Sequence, residues 1–166
     1  MTAQPRLLVI AFDAANASLV RTWASRGLLP NIAGLMARGR TADMRGVDGF
    51  FTGSTWPSLL TSTGPARHGI HYLAQLATGT YEFARPHEAA YIRAPMFWEC
   101  LARAGKRLAI LDLPLTKPDP AIPGIQTVEW AGHDSIFGFQ TAPAGLRAEI
   151  LAAHGRHPVI PDCDRV

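Results

Sequence analysis

An α/β domain with a mostly parallel sheet flanked by helices is what this sequence predicts, and three observations carry the prediction. Two short runs, Leu7-Leu-Val-Ile-Ala-Phe12 and Leu108-Ala-Ile-Leu111, are apolar without alternation, as strands buried on both faces are. Each is followed at once by an aspartate, Asp13 or Asp112. Between and beyond them lie segments with helical spacing of apolar residues and helix stop signals, and strands that alternate with helices indicate this class.

The elements follow in order. After Asp13, Asn16 suits the N-cap of a helix over 17–26, with Leu19, Val20 and Trp23 as its apolar face and Gly27 as its stop. A second helix starts near Pro30, a residue tolerated in a first turn, carries Ile32, Leu35 and Met36 on one stripe, and ends at Gly39. Residues 41–47 are expected to form a further strand. Residues 50–54 read as a loop around Gly53, and Pro57 suits the first turn of a helix running to Thr61. Residues 64–94 mix Gly, Pro, His and aromatics without a period and read mostly as loop. A helix over 96–104, stopped by Gly105, precedes the strand 108–111. Pro114, Pro118, Pro120 and Pro123 make the next stretch an extended surface loop. A strand over 125–130 and a helix over 143–153, stopped by Gly155, complete the reading.

Composition bounds what such a domain does. A chain of 166 residues has room for one domain with a real core. Apolar residues make up 48% and charged residues only 17%, against about 25% in an average globular chain, which excludes disorder. The low charge also points to apolar surface covered from outside the chain, so self-association through exposed apolar surface is expected. The formal charge is +3, but the 16 basic residues form no run, which excludes a nucleic-acid stripe and a polybasic membrane patch. Cys100 and Cys163 sit in no CxxC pair, as in a reducing compartment. No apolar run approaches the roughly 18 residues of a membrane span, and residues 7–12 are too short for a signal-peptide core. A cytoplasmic protein away from membranes is expected.

Two places carry candidate chemistry. Asp13, at the end of a predicted central strand, is a hard oxygen donor on a rigid element and suits a divalent metal; the alternative is a carboxylate closing a turn. In Phe51-Thr-Gly-Ser-Thr-Trp-Pro57, hydroxyls cluster on a glycine-containing loop just before a helix. A helix N-terminus favours a phosphate or an alkoxide, and a Thr held there beside a metal can act as a nucleophile. The alternative is that Ser54 or Thr55 is an ordinary N-cap. The histidine pairs His68/His71 and His154/His157, and His133-Asp134, are weak ligand candidates: a glycine or a proline interrupts each helical spacing or flanks the pair. Phe97 and Trp98 read as helix packing.

Three stretches together resemble one family. They are Leu8-Val-Ile-Ala-Phe-Asp13, Leu29-Pro-Asn-Ile-Ala-Gly-Leu-Met-Ala-Arg-Gly39 and Thr61-Ser-Thr-Gly-Pro-Ala-Arg-His-Gly-Ile70. In that order and spacing they resemble the type I phosphodiesterase/nucleotide pyrophosphatase group of the alkaline phosphatase superfamily, with a looser likeness over 95–160. The resemblance implies an alkaline-phosphatase-like fold and a metal-dependent hydrolase of phosphate esters. Its substrate would be a small phosphate ester or nucleotide, held by two divalent ions, usually zinc. A Thr or Ser at a helix N-terminus would attack phosphorus, and water would cleave the covalent intermediate. Asp13 then matches the first metal ligand. An ungapped count back from His68-Gly69 makes Thr52 the nucleophile and a metal-facing oxygen, and this register is preferred; alignment on Pro57 makes it Thr55 instead. His68 matches a structural residue. Ser62 stands where the family usually has glycine. The family's other ligands come from later in a longer chain, so residues 1–166 are expected to be the N-terminal part of a single catalytic domain whose remaining metal ligands lie elsewhere. The contrasting expectation, from another class, is a non-catalytic remnant that binds an anion or a protein partner through the same edge.

Overall fold

The computed structural model describes residues 6–50, 53–84, 92–131 and 136–158. The chain divides into two units, Met1–Arg45 and Gly46–Val166.

The first unit is built on two helices. α1 (Ala17–Ser25) starts where Asn16, in extended conformation, accepts the Leu19 N–H at 3.0 Å through its side-chain oxygen. That bond satisfies a backbone donor which the helix itself cannot, so the sequence signal and the observed start coincide. α2 (Pro30–Arg38) has proline as its first residue, where the missing N–H is no loss. The two helices pack on one another, with Ala24 buried on α1.

The strand expected over 7–12 is not formed. The segment joins no sheet among the described residues, and Leu7, Leu8, Val9, Ile10 and Phe12 are between 61% and 81% exposed. Residues 41–47 are likewise irregular. A strand needs a neighbour to pair its backbone groups, and a unit whose regular elements are two helices provides none. The apolar run therefore keeps the composition of a buried strand without its ladder.

The second unit holds the rest: α3 (Thr55–Thr61), α4 (Pro65–His68), β1 (Gln75–Leu76), β2 (Phe83–Ala84), α5 (Phe97–Arg103), β3 (Leu108–Leu111), β4 (Gly124–Val128), β5 (Gln140–Ala142) and α6 (Leu146–His154). β1 and β2 form a small antiparallel hairpin. β3, β4 and β5 form a sheet in that order. β3 runs parallel to β4, with Leu108 opposite Gly124, and β5 runs antiparallel to β4, with Gln126 opposite Ala142. The class is thus α/β, but the sheet seen among the described residues is mixed, where a mostly parallel one was expected. A parallel neighbour needs a crossover of about a dozen residues. The proline-rich stretch between Leu111 and Gly124 makes it as a loop, as its composition predicts, but not as a surface one: Leu115, Thr116 and Ile122 are buried, because apolar side chains along it reach the two cores.

The core sits where α3 and α5 meet the sheet. Leu60 of α3, Trp98 of α5, Ile110 of β3 and Ile122 are buried together, with Met96, Ala102, Leu108 and Leu113 packed against them. A second cluster joins Ile70 and Leu115 to Trp56, Leu73, Ile92, Ile136 and Phe137. α3 is only seven residues long and has no independent stability. Its place is held by Leu60 and Trp56, one in each cluster. Residues 64–94, read as loop from the sequence, contain α4 and the β1–β2 hairpin; elements of four and two residues are too short to show a period.

Candidate active site

The hydroxyl loop enters α3 through Gly53, Ser54 and Thr55. Gly53 has φ +96°, and a Cβ there would stand 2.5 Å from Leu73 N and 2.7 Å from the Tyr72 carbonyl carbon. Only glycine fits both the backbone angle and that approach. On the other side of positions 51–52, the Phe50 ring lies 5.8 Å from the His71 ring. The flanks of this loop are thus seated against residues 71–73. Thr52, the residue chosen by the ungapped count, lies outside the described residues. Thr55 is exposed and is the first residue of α3.

Ser54 occupies the N-cap position but does not cap. Its backbone is at φ −94° and ψ −27°, helical rather than extended, and its side chain makes no cap bond. It is fully buried, and its Oγ has no hydrogen-bond partner among the described residues. An ordinary N-cap by Ser54 is therefore not what the loop provides.

α3 ends tightly. Thr61 Oγ donates to the Pro57 carbonyl at 2.7 Å and lies 2.8 Å from Thr63 Oγ. Ser62 adopts φ +54° and ψ +31°, the left-handed region that glycine favours. Ser62, which stands where the resemblance expects glycine, thus takes a conformation that glycine favours.

His68, at the end of α4, is fully buried. Its Nδ1 accepts the Ile70 N–H at 3.1 Å, so the neutral ring carries its proton on Nε2, which donates to Ser58 Oγ at 3.0 Å. The ring therefore ties α4 and the following turn to α3. Burial, and secondarily the charge of His71, hold its pKa below the ordinary 6.5. The folded state thus disfavours a proton that the unfolded chain takes up near 6.5, so this contribution to stability is complete above pH 6.5 and is lost as pH falls through the folded pKa. Denaturant midpoints measured from pH 7.5 downward are expected to fall more steeply in the wild type than in His68→Gln; equal slopes would remove the assignment.

The two aspartates differ in surroundings. Asp13 is exposed in a turn of the first unit. Asp112, at the end of β3, accepts the Thr127 hydroxyl and the Trp130 N–H, each at 3.2 Å, and the Ala131 N–H at 2.9 Å. It ties the end of β3 to the residues after β4. Glu129, which sequence reasoning passed over, does related work: its carboxylate accepts the N–H groups of Ile136, Phe137 and Gly138. Both carboxylates have φ near +50 to +60°. His154 and His157 pack edge-on against Trp130, at 6.4 and 4.8 Å between ring centres. His133-Asp134 and Cys163 lie outside the described residues. Among the described residues no three His, Cys, Asp or Glu side chains gather into a metal-binding group. These residues alone therefore do not fit the two zinc ions that the resemblance implies, since zinc needs at least three protein ligands.

Fold and loop together define the class: an α/β protein in which a glycine–hydroxyl loop leads into a short helix packed on the sheet. Comparison with protein-family models makes the assignment specific, since residues 7–154 match the type I phosphodiesterase / nucleotide pyrophosphatase model. The chain belongs to that family, a family of phosphate ester hydrolases. Comparisons with curated proteins and with solved structures gave no match. No helix among the described residues is long and apolar enough to cross a membrane.

Proposed function

We propose that the protein is a hydrolase of small phosphate esters or nucleotides in which a threonine of the loop leading into α3 attacks phosphorus. The family match carries this reading. Of the two candidates, Thr55 is the one among the described residues, and we take it as the attacking residue for the test. It is exposed on the first residue of α3, beside a Ser54 that is shut into the core and a Pro57 that is buried. Gly53 brings the loop against residues 72–73, which holds Thr55 in one place rather than on a free loop. Positioning of this kind converts an encounter into an effectively intramolecular attack. The Thr55 hydroxyl would lose its proton to solvent as its oxygen forms the new P–O bond, and the ester oxygen would leave and take up a proton from solvent. Water would then break the Thr–phosphorus bond, with phosphorus unchanged in oxidation state throughout. Thr52 is the residue to compare with it.

Asp13 is the metal ligand the resemblance assigns to this chain, with the remaining donors to come from outside the described residues. The exposed apolar run 7–12 supports the view that this part of the domain is completed by further sequence or by association.

The test is hydrolysis of bis(4-nitrophenyl) phosphate by the purified protein, with and without added Zn²⁺ and after treatment with a chelator. Zinc-dependent release of nitrophenol, lost on chelation and lowered in Asp13→Ala, is expected. Binding of phosphate without any turnover under every metal condition would replace the hydrolase with an anion-binding remnant.

A further inference from the structure

A cleft of about 640 Å³ opens beside the hydroxyl loop, lined by Gly69, His71, Tyr72, Gln75, Phe83 and Arg93 among others. Its volume lies in the range of small-molecule sites. It adjoins the loop directly, because the Tyr72–Leu73 backbone is what Gly53 packs against and His71 is what the Phe50 ring faces. One rim is held by Gln75, whose side chain accepts the His71 N–H and donates to the Gly69 carbonyl, each at 2.9 Å.

Three side chains in this cleft are exposed and show no polar partner among the described residues. Tyr72 and Phe83 are 55% and 73% exposed, an unusual placement for two rings lining one concavity. Arg93 is exposed and pairs with no carboxylate among the described residues. Its side chain is nevertheless placed. The Arg93 N–H donates to the His68 carbonyl at 3.1 Å, and the side-chain stem lies over Gly69, where an added Cβ would be 3.3 Å from Arg93 Cδ. A guanidinium set by packing on its stem, with no carboxylate partner among the described residues, suits an anion brought by a ligand. Two exposed rings beside it suit a flat aromatic group.

We propose that this cleft is the subsite for the ester group of the substrate, and that Arg93 makes it select an aromatic ester group bearing an additional negative charge beyond the reacting phosphate. The assignment of the occupant as substrate rests on the hydrolase reading above. Tyr72 and Phe83 take the aromatic ring, and Arg93 takes the extra anion as a charge-assisted hydrogen-bond partner.

The proposal is tested on the full chain with two chromogenic esters that differ by one phosphate: the 5′-(4-nitrophenyl) ester of thymidine 3′,5′-bisphosphate, and the same ester without its 3′-phosphate. The wild type is expected to prefer the first by about tenfold in kcat/KM, the worth of one charge-assisted bond. Arg93→Ala is expected to abolish that preference by raising KM while leaving kcat nearly unchanged, and Arg93→Lys to restore part of it. Tyr72→Ala is expected to weaken both esters about equally. Hydrolysis of both esters with an unchanged preference in Arg93→Ala overturns the subsite and leaves the hydrolase reading standing. If the wild type hydrolyses neither, calorimetric titration with thymidine 3′,5′-bisphosphate decides. Binding that is lost in Arg93→Ala supports the Arg93 anion site in the cleft while the hydrolase reading, and with it the occupant's role as substrate, fails; no binding overturns both.

Discussion

Thr55→Ala is expected to lower turnover of bis(4-nitrophenyl) phosphate by about 10³-fold or more, with little change in stability. The size follows from the role. Removing a nucleophile removes the covalent route altogether, and in hydrolases of that type the residual rate comes only from binding and the remaining polar groups. The small effect on folding follows from position, because Thr55 is exposed at the start of α3 and surface substitutions are usually within about 0.5 kcal/mol. Thr55→Ser should keep a measurable fraction of activity, since it keeps the oxygen. Thr52→Ala, assayed beside it, is expected to cost less than about tenfold, far short of the loss of an attacking atom. Full activity in Thr55→Ala with loss in Thr52→Ala would exchange the two roles. Loss in neither, with thermal midpoints unchanged, would remove the threonine mechanism.

Gly53→Ala is the second large effect, and it acts through the fold. The substitution places a methyl group 2.5 Å from Leu73 N and forces a residue with a Cβ to φ +96°. The neighbouring atoms are backbone, so they cannot swing away as a side-chain tip can. Backbone strain of this kind costs about 1–3 kcal/mol, and overpacking adds a similar amount. A loss of about 3 kcal/mol is therefore expected, a large share of the 5–15 kcal/mol that holds a typical domain together. It should appear as a fall in the denaturant midpoint together with loss of hydrolysis, because Gly53, which leads into Thr55 and α3, can no longer seat against residues 72–73. Ser58→Ala, which leaves the buried His68 Nε2–H without its partner, should cost about 1–3 kcal/mol but leave the Gly53 approach intact. A Gly53→Ala protein as stable as the wild type would mean that this loop is not held where the structure has it.

Several elements were readable from residues alone because their signals are local. Asn16 capping α1, Pro30 opening α2, Gly105 closing the turn after α5 and the apolar run 108–111 each act within a few positions. The same holds for the family resemblance, which rests on short motifs and agrees with the match over residues 7–154. The candidate site was partly readable for the same reason: the glycine, the hydroxyls and the His-Gly-Ile turn are visible in order along the chain.

What could not be read is what depends on partners distant in sequence. The run 7–12 has the composition of a strand, yet a strand exists only where another supplies its hydrogen bonds, and among the described residues none pairs with it and it stands exposed. β5 was missed, and its antiparallel pairing with β4 makes the sheet mixed. Asp112 and Asp13 look alike in sequence, each following an apolar run, but only the fold gives Asp112 the Thr127, Trp130 and Ala131 donors that make it a tie between strand ends. The tautomer of His68 is set by Ile70 and Ser58 together, and the place of Arg93 by the empty space over Gly69. Local chemistry, which acts over a few residues, was therefore determined by the order of amino acids; pairing, burial and the cleft beside the hydroxyl loop were decided by tertiary structure, because each depends on which distant groups arrive at the same place.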